Sequence, residues 1–318
     1  MIHDWMRRLD CIVGICDATP LPPALYESST TPFVSKNTAK RTDPTATLPG
    51  AQSIIVVGVP WPEAPDDEML YSADFAEISS LAWLPDYHPR VRAVIQSLIT
   101  ELQRTYTFKY KILVDNPGLD ERVLALRAGL GFYGRHGLVI SPRYGTRFNI
   151  GCLITDITLL DLPPTPTLPQ ACQLAPNWNQ LKPYDASPHA NQPVASCDRL
   201  KSCNRCVRAC PTQALPTQPG GTLNVNRCIS YLTQKETLSP EEAALVGNQL
   251  YGCDICQQAC PHNTPWEKKY INPADWLSKS DEDFQREYKN TAMMWRNADI
   301  LRRNAQAVLN NIKTCLNN

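Results

Sequence analysis

The 318-residue sequence lacks any apolar run approaching the roughly 18 residues that a membrane-spanning helix requires. It also lacks an excess of either charge, because 31 Lys and Arg residues balance 31 Asp and Glu residues. A net charge of zero argues against a strongly basic nucleic-acid-binding protein, although it leaves room for a local basic patch. Glycine is scarce, with 14 residues, whereas proline is abundant, with 28, which predicts long irregular loops.

An export signal is not evident either. Arg7 and Arg8 look like the start of a twin-arginine signal, but the apolar run Cys11–Cys16 that follows is too short for the apolar region of a signal peptide. The chain is also far longer than the small secreted domains that depend on disulfides. We therefore expect a soluble, cytoplasmic and monomeric protein without a membrane segment.

Cysteine is what the sequence has in quantity, with 13 residues. The motif C-x2-C-x3-C-P occurs twice, at Cys203–Pro211 and at Cys253–Pro261, and each copy has one further cysteine upstream, Cys197 and Cys228. A two-cluster ferredoxin segment reads C-x2-C-x2-C-x3-C-P, which would place its first cysteine at Leu200. We interpret the earlier position of Cys197 as an enlarged ligand loop.

These eight cysteines are enough for two [4Fe–4S] clusters. In two-cluster ferredoxins the last cysteine of each run ligates the other cluster. The predicted sets are therefore Cys197, Cys203, Cys206 and Cys260 for one cluster, and Cys210, Cys228, Cys253 and Cys256 for the other. Two structural zinc sites are the alternative, because four-cysteine zinc sites also use C-x2-C, but the repeated C-P ending favours iron and sulfur. If Cys197 is not a ligand, Cys172 or a residue other than cysteine must close the first cluster.

The part of the chain before the cysteines has the pattern of a mixed α/β domain. β-branched runs predict strands, and apolar residues at helical spacing predict helices. The predicted elements are strands at Ser53–Trp61, Tyr110–Asp115, HGLVIS and FNIGCLITDITL, and helices at Pro89–Tyr106 and Asp120–Gly131. The predicted organisation is an α/β domain at 1–160, a Pro-rich inserted loop at 161–196, the cysteine domain at 197–263 and C-terminal helices at 264–318.

One further motif, GLGFYG at Gly129–Gly134, matches the G-x-G-x-x-G pattern of dinucleotide-binding proteins. That fingerprint must follow a strand and open a helix, whereas here it follows a predicted helix and leads into a strand. The sequence therefore argues against a nicotinamide cofactor. We expect these glycines to let the backbone approach a large flat ligand.

Several longer segments resemble the epoxyqueuosine reductase family, over about residues 12–312. They are TLPGAQSIIVV, WLPDYH, VDNPGLDERVLALRAGLGFYGRHGLVISPRYG, CISYLT, VGNQLYGCDICQQACP and RRNAQAVLNNI. The resemblance implies an α+β fold, in which a nitroreductase-like cobalamin-binding α/β domain precedes a ferredoxin-like domain with two [4Fe–4S] clusters and a short C-terminal helical segment. Family members continue into a C-terminal helical-repeat domain, and we expect most of that domain to be lacking here.

The resemblance also implies cofactors and roles for particular residues. Cobalamin would bind base-off, and Asp115 would be the proton donor. The implied cobalamin contacts are Arg41, Ser79, Asp86, His88, His136, Val139, Ile150, Ser230, Cys253 and Asp254. Asp115 ends a predicted strand, and we expect it to be buried enough to hold a proton near neutral pH. On residue type alone Asp115 could equally be a helix cap, and His88 a structural histidine.

The implied reaction is the reduction of epoxyqueuosine to queuosine in tRNA, which takes two electrons and two protons. The implied partners are a tRNA anticodon arm and an electron donor of the flavodoxin or ferredoxin type. Two alternatives stay open: a reductive dehalogenase-like enzyme acting on a small substrate, and an electron-transfer or corrinoid-reactivating protein without a substrate of its own. The zero net charge and the residue Gln249, where the family has arginine, weaken the case for tRNA more than the case for cobalamin.

Overall fold

The computed structural model describes residues 10–21, 31–62, 75–159, 203–218, 222–264, 266 and 268–316. Cys172, Cys197 and the predicted inserted loop at 161–196 lie outside the described residues. The strands are β1 Ile12–Asp17, β2 Ser53–Pro60, β3 Ala76–Ile78, β4 Tyr110–Leu113, β5 Phe132–Tyr133, β6 Val139–Ile140, β7 Phe148–Thr155, β8 Gln249–Tyr251 and β9 Lys269–Ile271. The helices are α1 Thr38–Thr42, α2 Ser80–Trp83, α3 Tyr87–Leu102, α4 Glu121–Arg127, α5 Arg205–Ala209, α6 Ile229–Leu232, α7 Pro240–Val246, α8 Ile255–Gln258, α9 Pro273–Ser278, α10 Asp281–Tyr288 and α11 Ala298–Leu316.

The first sheet is antiparallel and has the strand order β1-β2-β7-β4. All eight residues of β2 are buried, which matches its continuous run of β-branched residues. A helix covers each face of the sheet, α3 on one and α4 on the other. Gly151 in β7 makes the approach of α3 possible, because a Cβ atom there would lie only 2.4 Å from Cγ1 of Val91.

The second sheet joins distant parts of the sequence. Its order is β8-β3-β9, with β3 parallel to β8 and antiparallel to β9. A separate apolar core lies beside this sheet and includes α11 together with the buried side chains of Trp276 and Phe284. Within it the buried Asn304 side chain donates hydrogen bonds to the carbonyl oxygens of Thr233 and Leu250, at 2.8 and 2.9 Å. The helix α11 is therefore tied by polar as well as apolar contacts to the cysteine-bearing part of the chain.

The fold is mixed α and β, as the sequence predicts, and the strand at residues 53–60 is confirmed. The helix predicted from Pro89 begins two residues earlier, at Tyr87, because the Asp86 side chain caps it by accepting the backbone N–H of His88. The interpretation of 264–318 as helices alone is wrong at Lys269–Ile271, where β9 pairs with β3. No helix in the described ranges is long and apolar enough to cross a membrane.

Candidate active site and cysteine groups

Three cysteines face one cavity, and we call them cysteine group one: Cys203, Cys206 and Cys260. The cavity is also lined by His136 and Arg135, from the loop between β5 and β6. Burial, followed by the nearby thiols of Cys260 and Cys203, raises the pKa of Cys206 to about 11. The buried Cys206 thiol therefore resists ionisation unless a cation compensates its charge, which is the environment that a metal centre relieves.

Four other cysteines form a second set, which we call cysteine group two: Cys210, Cys228, Cys253 and Cys256. Burial and then the proximity of Cys228 raise the pKa of Cys253 to about 12. Burial, then Cys253 and Cys228, raise the pKa of Cys256 well above its usual value. Cys210 contributes in the same direction to the raised pKa of Cys228, whose main cause is burial.

Short helices position both groups. Cys206 lies in α5, Cys256 lies in α8, and Cys228 is the residue immediately before α6. Backbone N–H groups point at the sulfur atoms, as in the 3.3 Å contact from Ala214 to Sγ of Cys210. Within the described ranges, no three His, Cys, Asp or Glu side chains are close enough together to hold a single metal ion.

Cys203, Cys206 and Cys260 therefore line one cavity, and Cys228 acts on the thiols of both Cys253 and Cys256. The assignment of these cysteines to two clusters stays a prediction, and Cys197 lies outside the described residues. Four other described cysteines lie outside both groups. Cys11, Cys16 and Cys152 are buried in the two cores around the first sheet, and Cys315 is exposed on α11.

Cysteine group two is attached to the first part of the chain through Asp254. This buried carboxylate accepts the backbone N–H of Ser80 at 2.6 Å, at the start of α2. The preceding Ser79, also buried, donates its backbone N–H to the carbonyl oxygen of Tyr251 at 2.9 Å. A Cβ atom on Gly252 would lie only 2.4 Å from Oγ of Ser79, so glycine is needed where the two segments meet. Three predicted site residues are thus neighbours here: Ser79, Cys253 and Asp254. A fourth, Ser230, lies in α6, and its backbone N–H contacts the thiol of Cys228.

Asp115 lies in the loop after β4 and has a backbone φ of 50°, a left-handed conformation that costs energy for a residue other than glycine. The Tyr87 hydroxyl donates a hydrogen bond to Oδ2 of Asp115 at 2.9 Å. The Glu121 carboxylate accepts the backbone N–H groups of Asp115 and Asn116, at 3.0 and 3.2 Å. The expectation that Asp115 is buried is wrong, since the residue is exposed to solvent.

The pKa values of the two groups that contact Asp115, Glu121 and Tyr87, are shifted by burial. Glu121 lies deep enough at the start of α4 for desolvation to raise its pKa to about 8, against the lowering effect of its two backbone hydrogen bonds. Burial and the neighbouring Asp115 carboxylate raise the pKa of Tyr87 well above its usual range. The phenol therefore stays protonated and acts only as a donor to Asp115.

Asp86 and His88 flank Tyr87 at the start of α3. Oδ1 of Asp86 lies 2.7 Å from Nδ1 of His88, and the rings of Tyr87 and His88 stack with centroids 4.3 Å apart. The side chains of Asp86 and His88 are about one third exposed, at 37% and 36%. Together with Asp115 they form an open, polar surface beside an aromatic ring.

The other predicted contacts lie apart from this surface. Arg41 is in the last turn of α1, next to Lys40, whose carbonyl oxygen approaches Gly118 in the Asp115 loop. Val139 and Ile150 pack against the core on the α4 face of the first sheet. His136 lies with cysteine group one, and burial lowers its pKa to about 4, so the ring is neutral.

The glycines of GLGFYG are explained by neighbouring protein atoms. A Cβ atom on Gly131 would lie 2.1 Å from the carbonyl oxygen of Ile140, and one on Gly134 would lie 2.3 Å from the ring of His136. Gly129 has a φ of 78° and follows α4. The predicted order of helix then strand is confirmed, whereas the expected approach to a flat ligand is replaced by close packing within the chain.

Sequence reasoning missed Tyr87 and Glu121. Both stand in segments that carried the resemblance, WLPDYH and VDNPGLDERV, and an acid at the first position of a helix is a recognisable signal. Tyr87 is 28 positions from Asp115 in the sequence, and Glu121 is 6 positions from it. No local sequence pattern predicts the contact between Tyr87 and Asp115.

Comparisons with known proteins agree with this geometry. The family model for the 4Fe-4S double cluster binding domain matches residues 200–263, which contain both cysteine groups. The model for "Epoxyqueuosine reductase QueG, DUF1730" matches residues 41–116, a range that ends next to Asp115. The cysteine region is therefore an iron–sulfur-binding domain.

Individual relatives extend over more of the chain. The epoxyqueuosine reductase of Lactococcus garvieae is 31% identical over 84% of this chain and 71% of its own length, and that of Staphylococcus aureus is 31% identical over 83% and 65%. The structure of epoxyqueuosine reductase from Streptococcus thermophilus covers 98% of this chain and 80% of its own, with a TM-score of 0.76 and 27% identity. A crystal structure of epoxyqueuosine reductase with an epoxyqueuosine-modified tRNA-Tyr stem loop gives a TM-score of 0.77 at 25% identity, again over 98% and 80%.

Fold, cysteine groups and comparisons together define an oxidoreductase of the iron–sulfur class. The chain belongs to the epoxyqueuosine reductase family. It spans about 65–71% of the length of the curated relatives named above.

Proposed function

We propose that this chain reduces epoxyqueuosine to queuosine in tRNA, removing the epoxide oxygen as water with two electrons and two protons. The observation that carries the proposal is a continuous run of contacts between cysteine group two and Asp115. Asp254, next to Cys253, holds the start of α2, and α3 follows directly and presents Tyr87 to Asp115. The proposed source of electrons and the proposed source of protons would then be joined by one short stretch of structure.

Two [4Fe–4S] clusters would deliver the electrons. Cysteine group two would hold the cluster nearer to Asp115, and cysteine group one together with Cys197 would hold the other. The match to a double cluster domain and the two separate sets of raised-pKa thiols support this arrangement over a single metal ion.

The open surface around Asp86, His88 and Asp115 would receive base-off cobalamin. The surface fits a wide ligand with polar side arms, because partly exposed carboxylate and imidazole groups border the half-buried ring of Tyr87. Ser79, Ser230, Cys253 and Asp254 would hold the edge nearest the cluster, and Arg41, His136, Val139 and Ile150 are further proposed contacts. When bound, cobalamin would supply low-potential cobalt chemistry for removing the oxygen.

Asp115 would donate the proton. Its exposure gives it access both to solvent, from which it takes a proton, and to a substrate lying over the surface. Tyr87 holds Oδ2 of Asp115, so Oδ1 is the atom that can face the epoxide oxygen. Glu121 fixes the backbone of the same loop. A solved structure of epoxyqueuosine reductase from Bacillus subtilis is 25% identical in sequence to this chain, and its catalytic aspartate loop is swung out of the active site. That observation supports the proposal that the position of the Asp115 loop controls activity.

The substrate would be presented by a tRNA anticodon arm, and a flavodoxin or ferredoxin would be the electron donor. An aromatic and basic cluster supports the tRNA proposal. Trp295 is 54% exposed, the ring of Phe33 lies 5.1 Å from it, and the guanidinium of Arg296 lies 4.9 Å from its centroid. Phe33 also contacts Tyr231, beside Ser230, so the cluster borders the proposed cofactor site. Unpaired RNA bases stack on exposed aromatic and guanidinium groups of this kind.

The experiment uses anaerobically purified protein, iron and cobalt analysis, and an anticodon stem-loop carrying epoxyqueuosine. We expect about eight irons and one cobalt per chain and multiple-turnover formation of queuosine. Asp115→Asn should lower kcat by about 100-fold or more with unchanged iron and cobalt, because it removes the donated proton. The control Asp299→Asn changes a carboxylate on α11 whose side chain is 85% exposed, and should have no effect.

The possible negative results have distinct meanings. Unchanged turnover by Asp115→Asn would exclude the proton-donor role. A fully loaded wild-type protein that leaves the stem-loop unreacted would contradict the substrate.

A further inference from the structure

His136 presents an unused hydrogen-bond donor to cysteine group one. The residue is buried, with 6% of its surface exposed, and it lines the same cavity as Cys203, Cys206 and Cys260. Its Nε2 atom is buried and has no hydrogen-bond partner within the described part of the chain. Buried polar atoms without a partner are rare in folded proteins, so this atom calls for an explanation.

The protonation pattern of the ring follows from its other nitrogen. Nδ1 accepts the backbone N–H of Leu138 at 3.2 Å, so Nδ1 carries no proton. A neutral imidazole carries its one proton on the remaining nitrogen. Nε2 is therefore an N–H group on a ring that lines the cavity of cysteine group one.

The same pattern separates two roles that a histidine could have beside a cluster. A ligating Nε2 must be unprotonated, and with Nδ1 already accepting a hydrogen bond the ring would have to become an imidazolate anion among buried thiolates. Donation of Nε2–H to a sulfur atom requires no change of protonation and gives the orphaned N–H an acceptor. The geometry thus selects a donor.

The ring is also held in place. A Cβ atom on Gly134 would lie 2.3 Å from Cε1 and 2.7 Å from Nε2 of His136, so the imidazole packs directly against backbone that only glycine can provide. The neighbouring His262 has its ring edge-on to Phe132, with centroids 5.5 Å apart, and is half-buried. Of these two histidines, His136 is the one with an unpartnered buried N–H.

We propose that Nε2–H of His136 donates a hydrogen bond to a sulfur of the cluster held by cysteine group one, and so raises the reduction potential of that cluster. The proposal rests on the proposed ligation of that cluster. Reduction adds negative charge to the cluster, so a donor to its sulfur stabilises the reduced form more than the oxidised form.

The test compares His136→Phe with the wild-type protein, because phenylalanine fills similar space against Gly134 without an N–H. Midpoint potentials of both clusters are measured by anaerobic redox titration monitored by electron paramagnetic resonance. We expect one cluster to become harder to reduce by about tenfold in its reduction equilibrium, which is 59 mV for a one-electron couple. The other cluster should not change, and the iron content should stay at about eight. His136→Gln, which keeps an N–H donor, should recover part of the shift.

Three results would overturn the proposal. One is equal potentials for His136→Phe and wild type at equal iron content. Another is loss of about four irons from both His136→Phe and His136→Gln, which would indicate ligation, because neither side chain has an imidazole nitrogen. The third is an equal shift in the matched control His262→Phe, which would indicate general repacking. Since these readouts are potentials and iron counts, they stand whether or not the protein reduces epoxyqueuosine.

A second measurement does not depend on any variant folding correctly. Wild-type protein labelled with ¹⁵N-histidine is reduced, and nitrogen couplings to the cluster spin are recorded by pulsed electron paramagnetic resonance. A weak coupling from one histidine nitrogen is expected for a hydrogen bond to sulfur. The absence of any nitrogen coupling, or a strong coupling typical of direct iron ligation, would contradict the donor role.

Discussion

The region that would carry electrons and the region that would carry protons are built in opposite ways. In the cysteine region most of the candidate ligands lie in two short motifs, each built around a helix of four or five residues, and Cys228 stands apart from both motifs. In the Asp115 region one functional side chain is held by residues from two other elements, α3 and α4. The first design depends on spacing, whereas the second depends on tertiary packing.

The two regions also differ in how burial acts on their ionisable groups. Burial raises the pKa of the cysteine thiols, which then need a cation to become ligands. In the Asp115 region the acid itself is exposed, and burial acts on the Tyr87 and Glu121 groups that position it. A change in the cysteine region should therefore remove a cofactor, whereas a change in the Asp115 region should leave the cofactors in place and slow the reaction.

The largest effect is expected from Cys256→Ala. Losing one thiol of cysteine group two should remove about four of eight irons and reduce activity below detection, because the cluster nearer to Asp115 is lost. Iron analysis and stem-loop turnover measure this. Cys315→Ala is the matched control, because that thiol is exposed on α11 and outside both groups. Retention of about eight irons by Cys256→Ala would break the distinction between the two regions.

A smaller effect, of about 10- to 100-fold on kcat, is expected from Glu121→Gln. Glutamine has one acceptor oxygen and places an NH₂ group where the second backbone N–H now binds, so the strained Asp115 loop loses one anchor. Iron and cobalt contents should not change. Asp120→Asn, at the neighbouring cap position, contacts the N–H groups of Arg122 and Val123 and should keep nearly full activity. An equal loss of kcat in both variants would mean that the general stability of α4, and not the hydrogen bonds between Glu121 and the Asp115 loop, determines activity.

Tyr87→Phe should reduce kcat by about tenfold, with little change in KM. The variant removes a single hydrogen bond to a charged group, worth about 1.5 kcal/mol, and keeps the ring that stacks on His88. Steady-state kinetics with the stem-loop check this split. A rise in KM at constant kcat would show that Tyr87 contributes to binding and does not orient Asp115.

The smallest effect concerns stability and pH. The pKa of Glu121 is about 8 in the folded chain and 4.5 in its ordinary state, so its contribution to stability is fully present below pH 4.5 and is lost as pH rises through about 8. The apparent Tm of wild type minus that of Glu121→Gln should therefore fall by several degrees between pH 5 and pH 8.5. Anaerobic thermal scans at a fixed rate measure it. A difference that grows with pH would show that the carboxylate, and not the acid, is the stabilised form.

The contrast between regions also explains how far the sequence could be read. The C-x2-C-x3-C-P repeat predicts cysteine ligands because the spacing within each motif is local, and three of those cysteines line one cavity. The buried strand β2 is equally local and is confirmed. The roles of the individual cysteines as ligands, and of Asp115 as an acid, stay predictions.

The features that could not be predicted from the sequence depend on contacts between residues that are far apart in the chain. The strand β3 has three residues and becomes recognisable only through pairing with β8 and β9. The exposure of Asp115 depends on how its loop turns away from β4, with a positive φ that nothing in the residue type requires. The orphaned Nε2 of His136 depends on which chain segments surround the ring.

The second sheet has a consequence for how the protein is made. Ser80 and its partner Asp254 are 174 positions apart, and β3 pairs only with strands that are synthesised later. At about 5–20 residues per second, roughly 10–35 seconds pass on the ribosome before Asp254 follows Ser80. During that interval the first sheet can form, whereas β3 has no strand to join. Maturation should then be ordered, with the surface around Asp115 completed only as the cysteine-bearing segment arrives.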